Sequence, residues 1–169
     1  MFERVLAGFD GSVHSRRAVQ VAAELAGRFR ARLTIATVRP PRQGEDVDRL
    51  EALVPMSDDG RTLESLMDEF CAHALSRGAR AVEPVTLRGE VLDSLLGFLE
   101  KHPQDLVVVG SRGLTPGRRL LLGSVSAGLV NSARCPVLVV RPGLPEAAET
   151  RGFEWLTERV EEVLERAAA

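Results

Sequence analysis

Residues 105–140, DLVVVGSRGLTPGRRLLLGSVSAGLVNSARCPVLVV, carry the order of segments that decides the fold. The wholly apolar, valine-rich run over 105–110 reads as a strand buried on both faces. A loop rich in glycine and arginine follows from Ser111 to Leu122. Ser124 then stands where a helix begins, with SVSAGLVNSAR behind it and Pro136 to stop it. CPVLVV over 135–140 reads as a second buried strand. A strand, a helix and another strand imply parallel pairing through a right-handed crossover.

The same unit recurs towards the N-terminus. RVLAGF (4–9), RLTIATV (32–38) and AVEPVTL (81–87) are short apolar segments of strand character. Between them, apolar residues return at helical spacing. One set is Ala18, Val21, Ala22, Leu25 and Phe29; a second is Leu63, Leu66, Met67, Phe70 and Ala74; a third is Leu92, Leu95, Leu96 and Leu99. Alternating strands and helices predict a doubly wound α/β domain over 1–142, an open parallel five-stranded sheet with helices on both faces. Pro136 and Pro142 bracket the last strand, as expected at a sheet edge. Two segments break the rhythm. Residues 39–60, rich in proline, glycine and acids, read as a flexible flap. Residues 143–169 place Leu156, Val160, Val163, Leu164 and Ala167 on one stripe, so a C-terminal amphipathic helix is expected beyond the domain.

Bulk properties narrow the function. A net charge of −2 with interspersed charges gives no field to recruit nucleic acid or an anionic membrane. No apolar run reaches membrane-spanning length, and the start lacks the pattern of a secretory signal, so a cytoplasmic protein is expected. Cys71 and Cys135 lack metal or redox spacing and read as reduced packing residues. The three histidines are scattered, which argues against a metal site.

The loop after the fourth strand is the informative motif. In an open parallel sheet, ligands bind beyond the carboxyl ends of the strands, where the strand order reverses. A helix starting at Ser124 presents free N–H groups and partial positive charge there, which suits an anion. Gly123 lets a phosphate come close, Arg112, Arg118 and Arg119 add charge, and Ser124 and Ser126 offer hydroxyls. The blander reading is turn punctuation with solubilising arginines. A P-loop is excluded because the loop holds no lysine, and the dinucleotide fingerprint fails because two residues separate Gly110 from Gly113. What stands is G-x2-G-x9-G-S: Gly110, Gly113, Gly123, Ser124.

That spacing, on the last helix of a five-strand unit, resembles the ATP-binding branch of the universal stress protein family. VLAGFDGSVHSRRAV resembles the family's opening strand and helix, and DLVVVGSRG with LLGSVSAGLVNSARCPVLVVRP resembles its closing half. The resemblance covers residues 3 to 142. It implies a Rossmann-like strand order with the first and fourth strands adjacent, and Asp10 facing Gly110 across a crevice. Gly8, Asp10 and Val38 would hold the adenosine end, while Val109 and Gly110 line the ribose. Arg112 and Gly113 would follow the phosphates, and Gly123, Ser124, Val125 and Ser126 would bind them. ATP, or ADP or AMP in its place, is the implied ligand, with Mg²⁺ or Mn²⁺ accompanying the phosphates. The family's last strand pairs with its twin, which implies a homodimer through 136–141.

Other readings weaken on inspection. Asp10, Ser12, His14 and Ser15 invite a Ser/His/Asp triad, but they crowd one strand-to-helix turn, where Ser and Asp cap and His is expected to be solvated. Phosphoryl transfer needs a positioned base and nucleophile, which the motif lacks, so hydrolysis is expected to be absent or slow. A receiver domain would need an acidic pair and a late lysine, and a pyrophosphatase-type ligase would need S-G-G-x-D-S. Neither pattern is present. The expected function is a nucleotide-responsive regulator read by a protein partner, the alternative being an interaction module of the same fold without nucleotide.

Overall fold

A computed structural model of the chain describes residues 2–39, 62–113 and 122–141. The proposed flap at 39–60, Arg118, Arg119 and the terminal helix at 143–169 lie outside the described residues, Arg39 excepted. The elements follow in the order β1 (Arg4–Gly8), α1 (Val13–Phe29), β2 (Arg32–Arg39), α2 (Leu63–Ser76), β3 (Ala81–Arg88), α3 (Val91–Lys101), β4 (Leu106–Gly110), α4 (Ser124–Ser132) and β5 (Val137–Val140). The five strands form one sheet in the order β3-β2-β1-β4-β5, and each adjacent pair is parallel.

The alternation of side chains along each strand divides the core in two. Val5, Ala7, Leu33, Ile35, Leu106 and Val108 face α1 and α2, with Ala22, Leu25, Leu66 and Phe70 packed on them. Leu6, Ala36, Val107 and Val109 point the other way, towards Leu95 of α3 and Leu129 of α4. Strands buried on both faces carry apolar residues at consecutive positions, and β1 and β4 do. β3 is the exception. It is an edge strand, only half-buried at alternate residues, and it carries Pro84, which has no N–H to donate.

The helix ends follow local chemistry. Ser12 caps α1 by accepting from the Ser15 N–H, and Thr62 caps α2 by accepting from the Ser65 N–H. α4 ends at Ser132 with Ala133 already extended, so its stop comes before Pro136. Asp105 fastens the amino-terminal edge, its carboxylate accepting from the N–H groups of Glu3 and Arg4 at 2.9 and 2.8 Å.

α1 and α2 meet without an intervening side chain at Gly27, where an added Cβ would strike the Arg77 carbonyl. Beside this contact Arg77 reaches Glu24 at 2.6 and 2.7 Å. Gly97, within α3, has open space where its Cβ would stand. Gly27→Ala is therefore expected to destabilise by about 1–3 kcal/mol through overpacking. Gly97→Ala is expected to stabilise by about 0.5–1 kcal/mol through helix propensity. Urea midpoints at an unchanged m-value check both signs.

Candidate functional site

Strand order reverses between β1 and β4, so their carboxyl ends open a crevice on the rim of the sheet. One wall is the turn from β1 into α1. Phe9 N–H donates to the Ala36 carbonyl at 2.8 Å, which keeps the chain beside β2 past the end of β1. Asp10 then turns inward. Its Oδ1 accepts from the Ser12 N–H at 3.0 Å, and its own N–H donates to Ser15 Oγ at 3.3 Å. Ser12 Oγ accepts from the Ser15 N–H, and Ser15 Oγ donates to the Ser12 carbonyl. Both serine hydroxyls therefore build the helix cap.

His14 does not stand in solvent as the sequence reading expected. It is half-buried, and its Nδ1 lies 3.1 Å from Ser111 Oγ across the crevice root. Burial lowers its pKa from the ordinary 6.5; the Arg112 guanidinium lowers it further, and the Asp10 carboxylate opposes both. The imidazole is accordingly neutral at pH 7.

The opposite wall is the glycine loop and the start of α4. Ser111 is 3% exposed and acts as its anchor. Its N–H donates to the Val140 carbonyl at 2.7 Å, and its carbonyl accepts from the Gly123 N–H at 2.7 Å and from Ser126 Oγ at 3.3 Å. Gly123 is the N-cap of α4, and among the described residues no side chain caps that helix. The first-turn N–H groups of Ser124, Val125 and Ser126 lack a bond from the N-cap side chain, since glycine has none. Ser126 is buried with its hydroxyl donating to the Gly123 carbonyl at 3.0 Å, while Ser124 is exposed.

The three motif glycines have three different neighbours. A Cβ on Gly110 would lie 2.8 Å from the His14 backbone, so this glycine admits the first turn of α1 and does not face Asp10. Asp10 lies instead against Gly113, whose Cβ would meet the carboxylate at 2.7 Å. At Gly123 the nearest atoms, Arg112 Cα and the Ser111 carbonyl oxygen, are 3.5 Å away, an ordinary contact. Among the described residues, packing accounts for the first glycine and not for the third.

The remaining residues expected at the site divide by exposure. Gly8 packs against Val109, whose side chain is in the core at 5% exposure, so Val109 offers a ligand only main chain. Val38 is half-buried at the end of β2, and Val125 packs into the cluster under α4. Arg112 is exposed at the loop entrance. Among the described residues no group of three His, Cys, Asp or Glu side chains could hold a metal ion, and no helix is long and apolar enough to cross a membrane. His14 and Ser111 were missed as site residues, although a serine directly after Gly110 inside the motif was a signal available for the second.

The profile of the universal stress protein family matches residues 1–141. A universal stress protein of Mycobacterium tuberculosis is 34% identical over 142 residues, spanning 82% of this chain and 96% of its own. One from Thermus aquaticus is 34% identical over 145 residues, spanning 83% of this chain and 100% of its own. A universal stress protein crystallised in complex with cAMP superposes with a TM-score of 0.66 at 32% identity, covering 84% of this chain and 99% of that one.

Two outcomes follow from the geometry. Gly110→Ala is expected to cost about 1–3 kcal/mol by driving a Cβ into the His14 backbone. Gly123→Ala is expected to cost at most about 1 kcal/mol, the loss of a glycine N-cap with no clash beside it, as judged by denaturant midpoints. His14 also makes stability depend on pH. Its pKa is lower in the folded state than the unfolded value of 6.5, so its contribution is complete above that value. The contribution declines as pH falls below 6.5 and levels off below the lowered folded pKa. Comparing wild type with His14→Asn across this range isolates the slope, which the variant is expected to lose.

Proposed function

The chain belongs to the universal stress protein family, and on that premise we propose that the β1–β4 crevice binds an adenine nucleotide. The observation that carries this reading is Gly123: an N-cap that, among the described residues, has no side-chain cap bond and no close neighbour requiring glycine, on the rim where strand order reverses. The similar protein crystallised with cAMP supports an adenine nucleotide as the class of ligand. Phosphates are assigned to the N–H groups of Ser124, Val125 and Ser126, with Arg112 and Gly113 alongside. The nucleoside is assigned to Gly8, Asp10 and Val38, the Asp10 carboxylate accepting from ribose hydroxyls, with Val109 and Gly110 giving main chain to the sugar.

ATP is the assigned ligand, with ADP and AMP as its depleted forms. Mg²⁺ or Mn²⁺ would be held chiefly by the phosphates and water, since Asp10 is the one carboxylate assigned to the crevice. The proposed role is a regulatory switch in the cytoplasm, in which nucleotide orders the loop from Ser111 to Leu122 and alters a surface read by a partner. The proposed assembly is a homodimer paired through 136–141. Hydrolysis is assigned no base: Asp10 is oriented by the Ser12 N–H, and His14 Nδ1 is bonded to Ser111.

Nucleotide-stripped protein melted with and without Mg-ATP, ADP, AMP or cAMP tests the reading. Ligand at a hundred times its dissociation constant is expected to stabilise by about 2.7 kcal/mol, a clear rise in Tm. Gly123→Val is expected to fold and to lose the shift. No shift with any of the four nucleotides would remove the ligand from the mechanism and leave the interaction-module reading.

A further inference from the structure

The crevice contains a group that the binding assignment does not use. His14 Nδ1 and Ser111 Oγ are 3.1 Å apart, although the residues are 97 positions apart in the chain. Ser111 is in turn bonded to β5 through its N–H and to the start of α4 through its carbonyl. One side chain from the first turn of α1 thereby holds the point from which β5, the glycine loop and the α4 N-terminus are all positioned. Gly110 makes this possible, because a Cβ there would push the His14 backbone away.

We propose that His14 is a positioning residue for the phosphate end of the nucleotide, holding the loop root through Ser111 and taking up a proton when an anion docks beside Arg112. The proposal rests on the nucleotide reading above. Among the described residues the charged groups acting on the ring are Arg112, beyond β4, and Asp10, beyond β1. In the free protein the Arg112 charge reinforces burial in keeping the imidazole neutral. A phosphate placed against Arg112 offsets that positive charge and adds its own negative field, and both effects favour imidazolium. The hydrogen bond survives the change, since a protonated Nδ1 donates to Ser111 Oγ and the hydroxyl accepts. Linkage then requires the reverse effect: phosphate binding tightens as pH falls through the titration range of His14. The ligand class that elicits this is a nucleotide with a free phosphate near the loop. The same nucleoside without phosphate leaves the ring unchanged.

The test is NMR titration of the histidine rings of the whole chain between about pH 5 and pH 8, alone, with saturating AMP and with adenosine. The expected result is a rise of the His14 midpoint with AMP and none with adenosine, while the midpoints of His73 and His102 stay put. AMP affinity measured across the same range is expected to strengthen towards low pH in wild type more than in His14→Asn. The variant's amide can still reach Ser111 Oγ but cannot titrate, and the phosphate's own titration is common to both proteins. Saturable AMP binding with an unmoved His14 midpoint would overturn this proposal alone, as would a His14→Asn profile equal to wild type. No saturable change in any resonance with AMP would overturn this proposal, and none with Mg-ATP, ADP or cAMP either would overturn the nucleotide reading with it. If His14→Asn does not fold, the wild-type ring titration decides by itself.

Discussion

The arrangement of the crevice depends on one main-chain contact, the packing of Gly110 at the end of β4 against the backbone of His14 in the first turn of α1. β1 and β4 are parallel neighbours, and α1 must leave the end of β1 and return over the face that β4 shares. Interiors are close-packed and yield little, so a methyl group at this point would displace either the helix start or the loop root. With hydrogen there, Ser111 comes within reach of His14, Val140, Gly123 and Ser126, and the rim is fixed from four directions.

The fold was legible because both faces of the sheet are covered. Strands such as Leu106–Gly110 must then be apolar throughout, and helices such as Val13–Phe29 must show one apolar stripe, which are patterns that local sequence records. Strand order was not contained in those periods and entered with the family resemblance. The edge character of β3 escaped notice because Pro84 sits among valines that read as an ordinary buried strand. At the site, the glycine spacing located the rim, but a missing Cβ does not say what fills its place. Gly110 yields to protein backbone, Gly113 to a carboxylate, and Gly123, among the described residues, to no atom at close range. His14 was misread for a related reason: its partner lies far away in sequence, and a histidine in a first helical turn is more often wet.

Along the proposed crevice the electrostatics change sign. Asp10, oriented by the Ser12 N–H and lying against Gly113, offers acceptors, and the α4 start with Arg112 offers donors and positive charge. A ligand that brings hydroxyl donors to Asp10 and anionic oxygens to the α4 start matches this polarity. Turnover has different needs, namely a base and a nucleophile in line with a phosphorus atom. The two buried hydroxyls on this wall are already engaged, Ser126 Oγ with the Gly123 and Ser111 carbonyls and Ser111 Oγ with His14 Nδ1, so they support the cradle's shape.

The two sheet edges are unequal, and the inequality bears on assembly. β3 exposes Glu83, Pro84, Thr86 and Arg88, and charge together with a missing donor discourages a further strand. β5 is Val-Leu-Val-Val without a charge, and three of its four residues are only half-buried. An edge of that composition is a template for pairing with another chain. In the proposed dimer β5 is therefore the paired strand, and it is also the strand whose Val140 carbonyl accepts from Ser111 N–H. A displacement of β5 by its twin would reach the root of the glycine loop through that single bond. Nucleotide occupancy and subunit pairing would then act on the same four-residue strand from its two sides.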